Sequence, residues 1–304
     1  TKPFKIMELS IPKTPLLNSI LEVTSKYDYF FFDCDGVLWD ASKDLPYAFD
    51  LLNHLEKLGK KLFFVTNTSS SSRETYKTKF TRYGYDVKVE QLYPSSYIAA
   101  RYMKENLPEI KKVYVFGMKG LVEELNNSGI ATIGGPDDNE KKMTGAAFKD
   151  LEVDKDIDAV VAGYDTDLNY YKFCYSSLLL QMGKKFIATN EDAYDPIGDR
   201  KIPTSIVQIN GLRCSMEVEP LVLGKPNPYA VELIVNDNCL EKSKCVMIGD
   251  RLNTDVEFAN GGGIDSILLM TGVCKIADLL KTEETEGAPK PTYYLNSLKF
   301  TKGQ

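Results

Sequence analysis

Two kinds of hydrophobic pattern alternate along the chain. Short unbroken apolar runs predict buried strands, and stretches in which apolar residues recur at helical spacing predict helices. The predicted strands are residues 30–32, 61–65, 113–117, 158–163, 185–189, 244–248 and 264–270, and the predicted helices are residues 46–59, 74–83, 95–106, 120–127, 170–182 and 229–235. This alternation predicts an α/β fold on a doubly wound parallel sheet, with a second α/β unit inserted in the middle of the chain.

Three polar segments interrupt the alternation. Residues 133–144 are rich in Gly, Asp, Asn and Lys, which predicts an exposed loop. Residues 164–167 form a polar turn after a predicted strand. The tail beyond Thr282 is charged, and we expect it to be loose as far as Tyr293.

The composition is that of an ordinary globular protein and argues against two classes of partner. The chain has 304 residues, of which 43% are hydrophobic and 26% charged, enough for one large or two modest domains. The net charge of −6, from 37 basic and 43 acidic side chains, is mild. No basic stripe interleaved with aromatics is present, so we expect no nucleic-acid partner. No apolar run approaches the ~20 residues that cross a bilayer, so we expect no membrane partner.

The N-terminus and the cysteines bear on location. Residues 1–12 are mixed and polar, without the basic-then-apolar pattern of a signal peptide. A sequence that begins with Thr1 is also compatible with a targeting segment upstream of it. The six cysteines show no CxxC or other zinc-type spacing. They are typical of reduced cysteines in a cytosolic protein, and a cytoplasmic location is predicted.

The single histidine, His54, limits the chemistry that the chain can perform. It lies within a predicted amphipathic helix, where we expect a surface position. A phosphohistidine enzyme or a histidine-based triad would depend on this one residue, which argues against both.

Two carboxylates, Asp33 and Asp35, directly follow the first predicted strand, with Gly36 after them. In an open α/β sheet, ligands bind at the carboxyl ends of the strands. Because two negative charges would repel each other there, a divalent cation that prefers oxygen ligands is the natural partner. Gly36 would let the chain turn sharply beside the site. Taken alone, the stretch is equally compatible with an ordinary strand end that carries aspartates in its turn.

Later strand ends also carry polar groups. The hydroxyl-rich loop 66–73 precedes a helix and suits an anion such as phosphate, although N-capping by serine explains it as well. Lys225, between a glycine and a proline, offers a mobile charge near phosphate, although a surface lysine in a turn is the default. Asp250 is a candidate third metal ligand, and Asp255, one turn into the next helix, is a candidate support for it.

Together these groups supply the parts of phosphoryl transfer, namely a nucleophile, a proton donor, a cation and fixed donors to the phosphoryl oxygens. Asp33 is the candidate nucleophile, which would form an aspartyl-phosphate. Asp35 would protonate the leaving oxygen and later activate water. Lys225, Thr66 and backbone amides would hold the phosphoryl oxygens, and Lys225 would also keep Asp33 ionised.

Four segments then carry a family resemblance. They are DCDGVLW at residues 33–39, FVTNTSSSSR at 64–73, GKPNP at 224–228 and GDRLNTD at 249–255. In this order they resemble the four motifs of haloacid dehalogenase-type phosphatases, and the likeness covers residues 29–273. It is greatest to the p-nitrophenylphosphatase and phosphoglycolate phosphatase group, which also includes pyridoxal phosphatases.

The resemblance implies a Rossmann-like core from residues 1–94 and 211–304, with residues 95–210 as an inserted α/β cap of the C2 type. It also implies roles for individual residues. These are Asp33 as nucleophile, Asp35 as general acid and base, phosphate contacts from Gly36, Thr66, Asn67, Thr68 and Lys225, Mg²⁺ held by the Asp33 carboxylate, the Asp35 main-chain carbonyl and Asp250, and support from Asn253 and Asp255.

A cap closes over such a site, excludes water and supplies substrate contacts. The expected cap contacts are Tyr164, Asp165, Asn190, Asp192 and Arg200. Family members often have GFD-x-x-F-x-Y where this chain has a different sequence at residues 163–170, which leaves the natural substrate open. Arg73 and Arg251 are expected to form structural salt bridges rather than to bind ligands.

The leading hypothesis is a Mg²⁺-dependent phosphomonoesterase that acts on small metabolites such as 2-phosphoglycolate, and also on p-nitrophenyl phosphate. The nearest alternative is a pyridoxal 5′-phosphate phosphatase, which relative kcat/KM values would distinguish. A phosphate-sensing, receiver-like module is a different class, but a receiver needs neither a second aspartate at Asp35 nor a cap. A structural protein with an inactive site would show damage to a motif residue, and none is damaged. The sequence does not fix the oligomeric state, and a homodimer through the cap is one arrangement that it allows.

Overall fold

The computed structural model of the protein describes residues 11–40, 43–197 and 200–300. The prediction that residues 1–12 form no signal peptide falls on a segment of which the structure describes only residues 11 and 12. Among the described residues, no helix combines the length and the apolar composition that a membrane crossing requires.

Strands and helices alternate through most of the described chain. The strands are β1 (Leu16–Leu17), β2 (Tyr29–Phe32), β3 (Trp39–Asp40), β4 (Lys43–Asp44), β5 (Lys61–Thr66), β6 (Leu92–Pro94), β7 (Lys112–Phe116), β8 (Ala131–Gly134), β9 (Ala159–Ala162), β10 (Lys185–Ala188), β11 (Tyr194–Ile197), β12 (Arg200–Pro203), β13 (Leu221–Val222), β14 (Cys245–Gly249), β15 (Asp265–Leu269) and β16 (Tyr293–Leu295). The α-helices are α1 (Ala48–Lys57), α2 (Arg73–Arg82), α3 (Ser95–Asn106), α4 (Lys119–Asn127), α5 (Tyr170–Gln181), α6 (Ile206–Met216), α7 (Tyr229–Asn238), α8 (Glu257–Gly262) and α9 (Ile276–Glu284), and a π-helical turn spans Leu252–Val256.

The larger sheet has seven parallel strands in the order β1-β16-β15-β14-β2-β5-β6. The aromatic run of β2 lies near its centre, and Phe30, Phe31 and Phe32 are fully buried. Phe30 and Phe32 pack on one face with residues of α1 and α2. Phe31 packs on the other face with residues of α3, α7 and α8. Helices therefore cover both faces, and the predicted doubly wound parallel sheet is confirmed.

The second sheet has five parallel strands in the order β13-β10-β9-β7-β8. Its strands come from the middle of the chain, as a second α/β unit requires. Its last strand, Leu221–Val222, follows residue 210, where the sequence places the end of the insertion. The division into a core and an inserted cap at residues 95 and 210 stays a prediction.

The prediction of an exposed loop at residues 133–144 is wrong for the first part of this range. Its first two residues belong to β8, which pairs with β7, and a short 3₁₀ turn, Gly135–Asp138, follows. Asp138 is buried and accepts a hydrogen bond from the Tyr114 hydroxyl at 2.7 Å. The polar composition hid the strand because an edge strand needs little apolar surface.

Candidate active site

Neighbouring strands bring distant polar residues to one edge of the large sheet. Asp33 follows β2, Thr66 ends β5, and Asp250 follows β14. Since β14, β2 and β5 are adjacent and parallel, their carboxyl ends meet at the same edge. The convergence that the sequence predicts for these residues is therefore present.

Lys225 joins two of the acids. Its Nζ donates to Asp33 Oδ1 at 2.7 Å, to Asp255 Oδ1 at 2.7 Å and to the Val65 carbonyl oxygen at 2.9 Å. All three ammonium hydrogens therefore have protein acceptors. Lys225 follows β13, which pairs in the five-stranded sheet and not beside β2. The lysine therefore reaches the acids from the second sheet, whereas the sequence suggested a neighbouring strand end of the first.

Burial and the neighbouring charges act on these groups in opposite directions. Burial raises the pKa of Asp33, Lys225 lowers it, and the adjoining Asp255 and Asp250 raise it further, with a net upward shift. Burial works against the charged form of Lys225, but Asp255 and Asp33 outweigh it and the pKa of Lys225 rises. A lysine between two carboxylates is thus held fully protonated.

The three buried acids have the donor set of a cation site. Asp33, Asp250 and Asp255 each offer a carboxylate oxygen, and these oxygens lie within 4.8 Å of one another. Both oxygens of Asp255 have partners, Lys225 at one and the amides of Asp250 and Arg251 at the other. Asp250 Oδ2 accepts from the Val273 amide at 2.7 Å, whereas Asp250 Oδ1 is buried without a hydrogen-bond partner.

The unpartnered oxygen of Asp250 favours a bound cation. A buried carboxylate oxygen without a donor is costly, and burial together with Asp255 raises the pKa of Asp250 to about 6. The charges of this cluster are also unbalanced, because three carboxylates lie close together and only the Lys225 ammonium pairs with them. A hard divalent ion with oxygen ligands fits this set, with Asp33 and Asp250 as its ligands and Asp255 as the group that holds the lysine and the loop.

Glycines make room for the Asp250 carboxylate. Gly36 has φ +87°, and a Cβ there would lie 2.5 Å from Asp250 Oδ2. A Cβ at Gly272 would lie 1.9 Å from the same oxygen. The Gly36 amide donates to the Trp39 carbonyl oxygen at 2.8 Å. The evident role of Gly36 here is to allow the turn and the close approach of Asp250.

The side chain of Asp35 lies at the mouth of the site. Its Oδ1 accepts from Trp39 Nε1 at 2.7 Å and from Lys79 Nζ at 3.1 Å. The Asp35 side chain is 49% exposed, so water and substrate can reach it. It lines the same cavity as Asp33.

The loop after β5 supports the site through Asn67. The Asn67 Oδ1 accepts from the Lys225 amide at 2.9 Å, and its Nδ2 donates to the Lys225 carbonyl oxygen and to Asp192 Oδ1. The Thr66 hydroxyl accepts from the Thr68 amide at 3.2 Å. Thr66, Asn67 and Thr68 all line the cavity.

A cavity of about 110 Å³ is lined by Asp33, Asp35, Lys225 and the loop residues Thr66, Asn67 and Thr68. Of the expected cap contacts, Tyr164, Asn190 and Asp192 line it. Asp165 is buried instead in an ion pair with Lys172 at 2.7 Å, and it is not among the described residues that line the cavity.

Two further predicted residues, Arg200 and Asn253, are not among the described residues that line this cavity. Arg200 is exposed at the start of β12. Asn253 is exposed in the π-helical turn and lines an adjoining cavity with Lys225 and Arg251.

Two arginines were expected to be structural. Arg73 lies 3.7 Å from Glu124 and stacks on the Tyr97 ring, as expected. Arg251 differs, because it lines the cavity and forms no ion pair with a described residue, and its Nη2 donates to the Tyr194 carbonyl oxygen at 3.3 Å. Its position beside Asp250 was the only sequence signal that could have placed it there. The hydroxyl residues Ser205 and Thr254 of the cavity wall were also missed.

The comparisons with known proteins agree with this geometry. Residues 30–131 match the haloacid dehalogenase-like hydrolase family, and residues 222–300 match the HAD-hydrolase-like family. The chain is 38% identical to a 4-nitrophenylphosphatase of Schizosaccharomyces pombe, over 91% of this chain and 94% of that protein. It is 37% identical to phosphoglycolate phosphatase 2 of Arabidopsis thaliana, over 89% and 91%.

A solved structure supports the same assignment. The crystal structure of a 4-nitrophenylphosphatase from Thermotoga maritima superposes with a TM-score of 0.76 at 29% identity, and covers 91% of this chain and 96% of that one. Sequence, fold and the converging motif residues thus agree, and the chain belongs to the haloacid dehalogenase-like hydrolase family, within its phosphatases.

Proposed function

We propose that the protein is a Mg²⁺-dependent phosphomonoesterase that hydrolyses small phosphorylated metabolites resembling 2-phosphoglycolate. The observation that carries the proposal is the meeting of Asp33 and Lys225 at one cavity, with a carboxylate oxygen of Asp250 within 4.8 Å of one of Asp33 and with Oδ1 of Asp250 unpartnered. A nucleophilic carboxylate, a fixed positive charge and a cation site are what phosphate monoester cleavage needs.

The reaction would proceed in two displacements. The free oxygen of Asp33 attacks phosphorus and forms an aspartyl-phosphate, while the ester oxygen leaves with a proton from Asp35. Asp35 then accepts a proton from the water that attacks the same phosphorus, which releases inorganic phosphate and restores Asp33. Lys225 orients Asp33 and offsets its charge, since its three hydrogens are already engaged.

A cation bound by the Asp33 and Asp250 carboxylates, with the main-chain carbonyl of Asp35 as a further candidate ligand, would supply positive charge against the phosphoryl oxygens. Thr66 and Thr68 line the same cavity and would offer hydroxyl groups to the same oxygens. Mg²⁺ is the proposed ion because the site offers only oxygen ligands.

The size and lining of the cavity support a small substrate. Its volume of about 110 Å³ is well below the range of roughly 300–1,000 Å³ found for pockets that take drug-sized ligands. The names of the relatives, phosphoglycolate phosphatase and 4-nitrophenylphosphatase, support phosphomonoesters of this size. A pyridoxal 5′-phosphate phosphatase is the alternative within the same reaction class.

The test is a screen of the purified protein against phosphorylated metabolites, with Mg²⁺ and with EDTA. We expect Mg²⁺-dependent phosphate release from 2-phosphoglycolate and p-nitrophenyl phosphate, and none from the Asp33→Asn variant. A higher kcat/KM for pyridoxal 5′-phosphate than for 2-phosphoglycolate would identify pyridoxal 5′-phosphate as the preferred substrate instead. Stable phosphorylation of Asp33 without turnover would instead favour a phosphate-sensing module.

Three further proposals concern organisation. Residues 95–210 are proposed as a cap that sets substrate preference, so that exchanging this segment with a relative's should move the preference and leave the chemistry intact. A homodimer through the cap is proposed, and light scattering on wild-type protein tests it. A cytoplasmic location is proposed because all six cysteines are unpaired, and cell fractionation tests it.

A further inference from the structure

Trp39 and Lys79 donate hydrogen bonds to the same oxygen of Asp35. Trp39 Nε1 lies 2.7 Å from Asp35 Oδ1, and Lys79 Nζ lies 3.1 Å from it. Asp35 Oδ2 accepts no hydrogen bond from a described residue. A carboxyl proton on Oδ1 would meet the hydrogens of two donors, so that oxygen can act only as an acceptor. Oδ2 is therefore the oxygen that can hold and transfer a proton.

Trp39 is the rigid donor of this pair. The chain turns back after Asp35, since the Gly36 amide donates to the Trp39 carbonyl oxygen at 2.8 Å, and the turn brings the indole beside the carboxylate. The indole is fully buried and stacks on the Tyr83 ring, with the ring centroids 5.6 Å apart. An indole has a single N–H, and the terminal torsion of an aspartate is soft. Trp39 alone therefore leaves the carboxylate plane of Asp35 unfixed.

Lys79 supplies the second donor from helix α2. Its ammonium lies 4.2 Å from the centroid of the Trp39 ring, which attracts a cation, and its side chain is only 28% exposed. A surface ion pair usually has little effect because a long side chain must be immobilised to form it. Here the Trp39 ring already restricts the lysine, so its bond to Asp35 has a defined direction.

The position of Lys79 separates it from the groups that would contact a substrate. It is not among the described residues that line the cavity with Asp33. Its described contacts are instead with Asp35 and with the rings of Trp39 and Tyr76. An effect of Lys79 on the reaction is therefore expected to pass through Asp35.

We propose that Lys79 is a positioning residue for Asp35, which keeps Oδ2 directed at the phosphoryl group in both displacements. The inference rests on the proposed phosphatase function. In the first displacement, the proton on Oδ2 passes to the ester oxygen as the bond from that oxygen to phosphorus breaks. In the second, Oδ2 takes a proton from the water whose oxygen bonds to phosphorus. A displacement of such a group by about 1 Å can cost on the order of 100-fold in rate.

The test compares two aryl phosphates under single-turnover conditions. p-Nitrophenyl phosphate releases a stable anion and needs no proton, whereas the leaving oxygen of phenyl phosphate is more basic and needs one. We expect Lys79→Met to slow the first displacement about 10-fold or more for phenyl phosphate and less than about threefold for p-nitrophenyl phosphate. Equal losses on both substrates, or no loss on either, overturn the proposal.

Lys77→Met is the matched control. It removes the same charge from the same helix, but the Lys77 ammonium lies 3.9 Å from the exposed Asp86 and its side chain does not line the described cavity. We expect it to leave the ratio of the two rates unchanged. An equal fall of that ratio in Lys77→Met would assign the effect to the helix or to long-range charge and overturn the proposal.

A second background tests whether Lys79 acts through Asp35. In Asp35→Asn the acid is already absent, so the addition of Lys79→Met should leave the ratio of the two rates unchanged, as for two residues that act as one unit. A further fall of the ratio in the double variant would place the action of Lys79 elsewhere and overturn the proposal. If Lys79→Met does not fold, Lys79→Gln takes its place in each comparison.

Failure of this inference is distinguishable from failure of the proposed function. A negative result confined to the Lys79 variants, with a wild-type protein that hydrolyses both aryl phosphates, overturns the positioning role alone. A wild-type protein that hydrolyses neither of them in the presence of Mg²⁺ overturns the proposed function and the positioning role together.

Discussion

Asn67 holds the main chain of Lys225 on both sides of the lysine. Its Oδ1 accepts from the Lys225 amide at 2.9 Å, and its Nδ2 donates to the Lys225 carbonyl oxygen at 3.1 Å. The second Nδ2 hydrogen is directed to Asp192 Oδ1 at 3.2 Å. The polar atoms of this side chain are therefore used within the protein, and they tie the loop after β5 to the lysine and to the loop that follows β10.

We predict that Asn67→Ala lowers kcat about 10- to 100-fold with little change in KM. The variant frees the Lys225 backbone, and a displacement of a catalytic group by about 1 Å can cost on the order of 100-fold in rate. Steady-state kinetics with 2-phosphoglycolate measure the effect. Asn53→Ala, on the exposed side of α1, is the control for loss of an amide. A raised KM with unchanged kcat would instead indicate that Asn67 contacts the phosphate directly.

The part of the site that lies on regular strands was predictable from the sequence. The aromatic run before Asp33 and the apolar run before Asp250 are unambiguous strands, and parallel pairing of β2 with β14 places both acids at one edge. The helix at Ser95–Asn106 was also predicted at its observed bounds, because Pro94 marks its start.

What the sequence could not predict depends on contacts between distant segments. The strand before Lys225 has only two residues, too few for a pattern to say which sheet it joins. The hydrogen bonds of Asn67 to the Lys225 main chain and to Asp192 join segments that are far apart in sequence. The composition of edge strand β8 is atypical of a strand, so the sequence did not predict it. Pairing with β7 on one side is enough to hold it in the sheet.

We predict that Mg²⁺ stabilises the protein, and more strongly as pH rises from 5 to 7.5. The pKa of Asp250 is raised to about 6 without the ion, so a proton competes with the cation below that pH. A raised folded-state pKa also means that the ion-free protein loses stability between about pH 4 and 6 and levels off above. Mg²⁺ at 100 times its Kd would add about 2.7 kcal/mol. Thermal melts with Mg²⁺ or EDTA across this pH range measure both effects.

Asp250→Asn is the control for the cation site. It keeps the shape of the side chain and removes the charge, so the Mg²⁺-dependent rise in Tm should disappear. An equal rise in the variant would place the ion elsewhere on the protein.

We predict that Gly36→Ala disables the cation site, whereas Gly59→Ala lowers stability by its backbone cost alone. Both glycines have positive φ, +87° and +77°, so each substitution carries a backbone cost of about 1–2 kcal/mol. A Cβ at Gly36 would also lie 2.5 Å from Asp250 Oδ2, while nothing lies within 4 Å of a Cβ at Gly59. The difference between the two variants in the Mg²⁺-dependent rise in Tm isolates the crowding of Asp250. Equal rises would show that the Asp250 carboxylate can move aside freely.

We predict that Asp35→Asn forms the aspartyl-phosphate from p-nitrophenyl phosphate but releases it slowly. The p-nitrophenolate leaves as a stable anion and needs no proton, so the first displacement survives without an acid. The attack of water on the intermediate still lacks its base, so the second displacement slows. Rapid mixing should therefore show a burst of about one p-nitrophenolate per protein, followed by slow turnover.

The same variant should show no burst with 2-phosphoglycolate, because its alkoxide leaving group needs protonation at once. Asp33→Asn is the control and should give no burst with either substrate, since it lacks the nucleophile. The Asp35 side chain is bonded to Trp39 and Lys79 on one oxygen only, which leaves the other to serve both steps. Wild-type rates in Asp35→Asn with both substrates would transfer the acid–base role to another group of the cavity.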